Sequence, residues 1–198
     1  MKYTFIFIAL SLTATISFAQ EFSSSISEAR SSYKSGNLDD ARFALEQAMH
    51  TLDQEIGKEI LKVLPTSLQG AEYKSDEDNV VGTNLGFAGL FVDRNYYADE
   101  KSATIQIIGD SPLMAGINAL LALPNFVTSG DSDQKRIKVD GYKALLTKNT
   151  RDDGVESYSL QIPANATLIT MECLGYSEAQ VTTMANQIPV TQVVKLAQ

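Results

Sequence analysis

The chain has 198 residues, 44% of them apolar, and a formal net charge of −8 from 24 acidic and 16 basic residues. This balance disfavours nucleic-acid binding through a basic patch, because neutralising phosphates requires clustered Lys and Arg. A chain of this length buries about 70% of its unfolded surface, so it needs no disulfide or structural metal to fold.

The first nineteen residues are typical of a cleaved export signal. Lys2 supplies a short positive region, residues 3–16 are mainly apolar, and Ser17-Phe18-Ala19 matches a signal-peptidase site. The alternative is a membrane anchor, but the apolar run is short and lacks a basic stop-transfer flank. We therefore predict a signal peptide over 1–19 and a mature protein that is periplasmic or secreted, without a membrane span.

A first helix is predicted from Ser24 or Ser25 to about Ser35, with Glu28 at capping-box spacing. Gly36-Asn37 then breaks the helix and turns the chain. A second, longer helix is predicted from Leu38 to Leu64, ended by Pro65. The two helices make a helical hairpin over residues 20–64.

The long helix carries one apolar stripe, because its apolar residues recur at intervals of three and four. They are Ala41, Leu45, Ala48, Met49, Leu52, Ile56, Ile60, Val63 and Leu64. We expect the part from Ala41 to Leu52 to be core, covered by the first helix. Beyond Ile56, the sheet domain or a second copy would have to cover it.

The hairpin resembles a single tetratricopeptide repeat over roughly residues 25–50. The positions that carry the resemblance are Ala29, Tyr33, Gly36, Ala41, Leu45 and Ala48. A stacked array needs about three such units. The resemblance therefore implies a repeat-like hairpin rather than a peptide-binding solenoid, and a generic helical hairpin is the alternative.

Residues 65–198 are predicted to form an α+β domain. Hairpin signals such as Asp140-Gly141 dominate and no βαβ alternation recurs, so we expect a mostly antiparallel sheet with two helices on one side. The helices are expected at 113–123 and at 177–187, the second opened by Ser177-Glu178-Ala179-Gln180, which matches a capping box. The expected strands are 87–97, 103–108, 136–139, 142–147, 156–162 and 168–174, with 190–197 either a last strand or a frayed end.

Three motifs in this domain mark helix ends and turns. They are Leu64-Pro65-x-x-Leu68-x-Gly70, Asp110-Ser111-Pro112-Leu113 and Val139-x-Gly141-Tyr142-x-Ala144, followed by a final strand and capped helix. Together they resemble an uncharacterised family of bacterial exported proteins over residues 60–195. The resemblance implies fold and export and brings no catalytic residue. The order of elements is also similar to small lipid- or partner-binding domains of the Mog1/PsbP type, a likeness of fold alone.

We predict no catalytic, cofactor-binding or metal-binding residue and no cofactor. His50 is a lone histidine at the edge of the apolar stripe, and a lone histidine is rarely a metal site, so surface or boundary packing is expected. Cys173, the single cysteine, lies in an apolar run that would raise its pKa, which disfavours a nucleophile. The acidic stretches 75–79 and 131–133 are incomplete calcium loops, so solvated loops are expected. The glycine-rich run 82–89 lacks the Lys-Ser/Thr of a phosphate loop and predicts a bend.

The sequence favours a non-catalytic exported protein that binds another envelope or secreted protein through its hairpin or a sheet edge. The alternative is a periplasmic protein that binds a small molecule or lipid in a groove between the sheet and helix 113–123. An enzyme is the least favoured interpretation, and the oligomeric state is open. Tyr96 and Tyr97 must point to opposite faces of a strand, so one of them is expected to be exposed or to line a groove.

Overall fold

The computed structural model describes residues 13–82, 89–123, 133–150 and 155–198. Within these ranges the chain is α+β, as predicted, with a helical pair followed by an antiparallel sheet and further helices. It divides into two compact units, Met1–Glu55 and Ile56–Gln198. The expected export signal up to residue 12, Gly86 and Phe87, the acidic stretch at Asp131 and the turn at 152–154 lie outside the described residues.

The first unit contains a helical hairpin. Helix α1 spans Thr13–Lys34 and helix α2 spans Leu38–Val63. Gly36 makes the turn at a φ of 81°, a conformation that glycine adopts without strain. The predicted helix start at Ser24 or Ser25 is wrong, because α1 runs straight through both. A serine run fits inside a helix when hydroxyls bond to carbonyls one turn back, as Ser23 Oγ does to Ala19 O at 2.7 Å.

The buried face of this hairpin is built from small side chains. Those side chains are Ala29, Ala41, Ala44 and Ala48, together with Thr51. The prediction that the stripe from Ala41 to Leu52 is core holds for its alanines and is wrong for its large residues, since Leu45, Met49 and Leu52 are all exposed. Small residues allow two helices to approach closely, and the larger residues lie a quarter turn away from that contact.

The second unit is organised by one antiparallel sheet of nine strands in the described part of the chain. The strand order is β1-β2-β4-β5-β9-β8-β7-β6, and β3 also pairs with β4. The strands are β1 Ser67–Leu68, β2 Ala71–Tyr73, β3 Asn79–Val81, β4 Phe91–Ala98, β5 Lys101–Gly109, β6 Gln134–Val139, β7 Tyr142–Thr150, β8 Glu156–Ala164 and β9 Thr167–Leu174. Strands β1 to β3 were not predicted, since two or three residues are too few to show alternation.

The predicted tight hairpin between β6 and β7 is confirmed. Asp140 and Gly141 have φ values of 48° and 84°, as a two-residue type I′ turn requires. Val139 then pairs with Tyr142 directly across the turn. The two-residue turn at Asp140-Gly141 therefore sets the register of β6 against β7.

Helices cover both faces of the sheet, so the prediction that they lie on one side is wrong. Helix α3, Met114–Ala122, buries Ile117 and Leu121 against Leu145 and Leu168. The neighbouring residues along the same strands, such as Leu146 and Ile169, belong to the main core instead. Adjacent residues in a strand point to opposite faces, which places α3 on the face away from that core.

The main core is closed by two further helices, α4 Glu178–Ala185 and α5 Val190–Leu196. The predicted capping box of α4 is confirmed: Gln180 N–H donates to Ser177 Oγ and Ser177 N–H donates to Gln180 Oε1. The expectation of a strand or frayed end after residue 190 is wrong. Val190, Val193 and Val194 recur at helical spacing and are all buried.

The C-terminal end of α2 belongs to this second unit. Ile60 and Leu64 are buried in the main core, and Ile56 packs at its edge. Gly57 lets the sheet approach closely, since a Cβ placed there would lie 2.3 Å from Val80 Cγ1. Beyond Ile56 the stripe is therefore covered by the sheet unit, one of the two alternatives that the sequence left open.

Candidate functional site

The first unit exposes a row of large apolar side chains along α2. Leu38, Leu45, Met49 and Leu52 are 62%, 51%, 56% and 41% exposed. With 3.6 residues per turn, the four Cα positions span roughly 60° of the helix circumference, so they form one line. We call this row the leucine stripe.

The spacing of the leucine stripe is that of a coiled-coil seam. From Leu45 the steps are four and then three, to Met49 and Leu52, and Leu38 lies one heptad before Leu45. Such a pattern keeps apolar side chains facing one partner helix, with each inserting between four residues of the other. The same spacing places one more residue in the seam, four positions after Leu38, and this residue is Arg42. Arg42 pairs with Glu46, with its Nε 3.1 Å from Oε1.

An acidic row runs beside the stripe. Asp39, Glu46 and Asp53 each follow a leucine by one residue, so they repeat every seven residues on the same side. Asp39 and Glu46 are exposed, and Asp53 is half-buried. Residues 20–55 carry seven acidic and three basic side chains, a formal charge of −4. The stripe thus lies between the buried alanines on one side and a negative edge on the other.

A small depression lies at the Leu52 end of the stripe. It has a volume of about 210 Å³ and is lined by Phe18, Ala19, Phe22, Thr51, Leu52 and Glu55. Phe18 and Ala19 belong to the predicted signal peptide, so the mature protein would keep the other four residues. Phe22 extends the apolar surface from α2 onto α1. Phe22 is therefore the aromatic residue of this depression that would remain beside Leu52 after the predicted cleavage.

Phe43 provides a natural comparison within the same helix. It is 61% exposed, yet it lies on the opposite side of α2 from the leucine stripe. Single exposed apolar residues are common on protein surfaces, whereas a contiguous apolar patch marks an interaction site. The stripe is distinguished by the alignment of four exposed apolar residues rather than by the exposure of any one of them.

Cys173 and His50 are not part of the leucine stripe. Cys173 is buried in the main core, as expected, and burial raises the pKa of its thiol to about 12. His50 is half-buried on α2, with its Nε2 3.0 Å from Gln54 Nε2, which confirms the expected boundary packing. Among the described residues, no group of three or more His, Cys, Asp or Glu side chains could hold a metal ion.

The acidic loop at 75–79 is partly buried rather than fully solvated. Asp78 accepts two hydrogen bonds from the buried guanidinium of Arg94. Glu77 accepts from Tyr97 Oη at 2.6 Å and from Lys74 Nζ at 3.0 Å, and these bonds lower its pKa. The expectation of a solvated loop is therefore wrong for Asp78, whose oxygens are already paired.

Tyr96 and Tyr97 divide between the two faces of β4, as predicted. Tyr96 is fully buried and donates from Oη to Pro65 O at 2.8 Å, whereas Tyr97 is exposed. Burial raises the pKa of Tyr96, so this phenol stays protonated and keeps its hydrogen bond. Tyr96 thus anchors the chain that follows α2 rather than lining a groove.

The predicted groove beside helix 113–123 corresponds to the place where α3 meets the sheet. Ile117 and Leu121 are buried there, and Leu113, Leu120 and Leu123 are exposed. The Arg136 guanidinium donates to Leu123 O at 2.6 Å and ties β6 to the chain just beyond α3. A lipid or small-molecule site in this place stays a prediction.

No known protein family, curated protein or solved structure matches the chain. The resemblance to bacterial exported proteins over residues 60–195 and the resemblance to a tetratricopeptide repeat therefore stay predictions. No helix in the described part of the chain is long and apolar enough to cross a membrane.

Proposed function

We propose that this chain is an exported, non-catalytic protein-interaction module that docks through the leucine stripe. The observation that supports the proposal is a line of four large apolar side chains, each more than 40% exposed, with Arg42 between the first two. Contiguous apolar surface on a folded unit marks a site that another surface covers. The partner we propose is another envelope or secreted protein.

The energetics of the stripe are sufficient for docking. Fully burying a Leu or Met side chain contributes about 1.5–3 kcal/mol. Since each of the four is already about half covered, a partner would add roughly 3–6 kcal/mol in total from the stripe. The loss of translational and rotational freedom on association offsets part of this free energy. Contacts at Phe22 and along the acidic row would therefore be needed for stable binding.

The chemistry of the second unit supports a role without catalysis. The Cys173 thiol, with a pKa near 12, stays protonated at neutral pH and is enclosed by the core. The charges that lie deepest in the fold, Arg94 and Asp78, neutralise each other. Export is supported by the Lys2 region, the apolar run and the Ala19 cleavage motif in the sequence.

Site-specific photo-crosslinking in the native host tests the proposal. A photoreactive phenylalanine analogue replaces Leu45 in one strain and Phe43 in another. We expect the Leu45 position to give a discrete adduct with a second protein, and the Phe43 position to give none. The adduct should be lost when Met49→Ser is added. Equal labelling from both positions, or none from Leu45, would contradict docking through the stripe.

A further inference from the structure

We propose that the partner element is an amphipathic α-helix whose flank carries a row of Lys or Arg residues. This inference rests on the proposed function, since it names what covers the leucine stripe. It commits to one occupant, a basic helix lying lengthwise along α2. Two independent features support it: the seam spacing of the apolar residues and the sign of the charges beside them.

The seam spacing favours a helix over a strand or a loop. Apolar residues at steps of seven, four and three present ridges that match the periodicity of a facing helix. An extended strand instead alternates every two residues and would meet this line at few points. Leu38 and Leu52 are separated by 14 residues, or about 21 Å along the axis. A partner helix of two to three heptads therefore spans the exposed stripe.

The charges beside the stripe favour a basic partner. Asp39, Glu46 and Asp53 occupy the position next to each seam leucine, where coiled coils place the charges that select partners. Between Leu38 and Asp53, α2 has one basic residue, Arg42, and it is paired with Glu46. A helix with Lys or Arg facing the row would be attracted by its net negative charge, and an acidic helix would be repelled.

The same charges disfavour a second copy of this chain. Self-association would bring together two hairpins that each carry a formal charge of −4 over residues 20–55. The other side of the seam offers Ala41 and Ala48, which are buried within the hairpin and supply no matching cation. Like charges brought together in an interface weaken it, and no cation on the other edge offsets them here.

The test uses three synthetic 21-residue peptides as probes of the purified protein. All three carry Leu and Ile at the seam positions, and they differ in having Lys, Gln or Glu at the flanking positions. Fluorescence anisotropy measures their dissociation constants at low and at physiological salt. We expect the order Lys, Gln, Glu from tightest to weakest. The Lys peptide should bind about tenfold tighter than the Glu peptide at low salt, with a smaller ratio at higher salt.

Charge reversal identifies the residues responsible. The double variant Asp39→Lys with Glu46→Lys should remove or invert the preference for the Lys peptide. The matched control, Glu72→Lys with Glu100→Lys, changes the net charge equally at exposed positions of the second unit. The control should keep the preference. Because the readout is a ratio of two affinities, a modest loss of helix stability does not move it.

Each remaining outcome bears on the inference. Equal binding of the three peptides, together with a specific Leu45 adduct, would overturn the basic-helix proposal and leave the proposed function standing. Absence of that adduct would overturn both. A dimer in sedimentation equilibrium that dissociates in a Leu45→Ser variant would replace the basic helix with a second copy. The inference is supported if the preference for the Lys peptide is lost in the Asp39→Lys, Glu46→Lys variant and kept in the control variant.

Discussion

Arg94 and Asp78 form a bidentate ion pair, with Nε 2.8 Å from Oδ1 and Nη2 2.6 Å from Oδ2. The arginine side chain is 5% exposed and lies over the ring of Tyr73, 4.3 Å from its centroid. Its Nη1 also donates to Leu64 O at 3.4 Å. One buried cation therefore joins the loop before β3, strand β2 and the end of α2.

Replacing Asp78 by Asn should destabilise the second unit by about 3–5 kcal/mol, because it leaves the guanidinium of Arg94 buried without a counter-charge. Urea denaturation followed by circular dichroism measures the loss. The control is Asp76→Asn, which removes an exposed carboxylate from the same loop and should change stability by about 0.5 kcal/mol or less. Equal effects of the two changes would show that the pair contributes nothing specific.

Gly57→Ala should destabilise the protein although alanine is the better helix former. Propensity alone predicts a gain of about 1 kcal/mol. The new Cβ would lie 2.3 Å from Val80 Cγ1 and 3.1 Å from Leu90 Cδ1, so overpacking should reverse the sign and cost about 1–3 kcal/mol.

Gly116→Ala in α3 is the matched control for this change, because nothing lies within 4 Å of its added Cβ. It should stabilise by up to about 1 kcal/mol. The measurement is the melting temperature of each variant. A stabilising Gly57→Ala would contradict the close approach of β3 to the helix.

Glu172→Gln should change how stability depends on pH. Desolvation raises the pKa of Glu172, although the hydrogen bond from Ser159 Oγ at 2.5 Å opposes the shift. A carboxyl group whose pKa is higher in the folded state costs stability as pH rises from its unfolded pKa through its folded pKa. The variant removes this cost, so it should gain stability relative to the wild type as the pH rises above about 4, the ordinary pKa of a glutamate. Urea denaturation at a series of pH values measures the difference, and a difference that shrinks with rising pH would contradict the sign.

Cys173 should react with thiol reagents only when the protein unfolds. Its thiol is buried and has a pKa of about 12, so little thiolate exists at pH 8. Labelling by an aromatic disulfide should be at least ~100-fold slower in the native protein than in urea. Rapid labelling of the native protein, with no loss of circular dichroism signal, would indicate an accessible thiol.

Much of the fold could be predicted from local sequence patterns. Asp140-Gly141 specifies a tight turn, Ser177 and Gln180 specify a capping box, and alternation in β5 specifies a strand with one buried face. Each of these signals is complete within a few residues. Features that depend on distant contacts were missed: the helix after Val190 is stabilised by burial of its valines in the core, and the pairing of Asp78 with Arg94 joins residues 16 apart.

The candidate site shows the same limit. Periodicity located the apolar stripe on α2, but it does not tell which side of a broad stripe faces a neighbour. The alanines at 41, 44 and 48 lie a quarter turn from Leu45 and take the buried position. The heptad of Leu38, Leu45 and Leu52, each followed by an acidic residue, could have signalled an exposed seam, because a fully buried face would not carry charges at its edge.

Whether the leucine stripe is free to dock is tested by comparing Leu52→Ala with Ile60→Ala, two truncations on the same helix. Leu52 belongs to the exposed stripe, and Ile60 is fully buried in the main core. The free energy of unfolding should fall by at most about 1 kcal/mol for Leu52→Ala and by about 2–5 kcal/mol for Ile60→Ala. A Leu52→Ala variant that loses as much stability as Ile60→Ala would show that the stripe is core and would remove the docking surface.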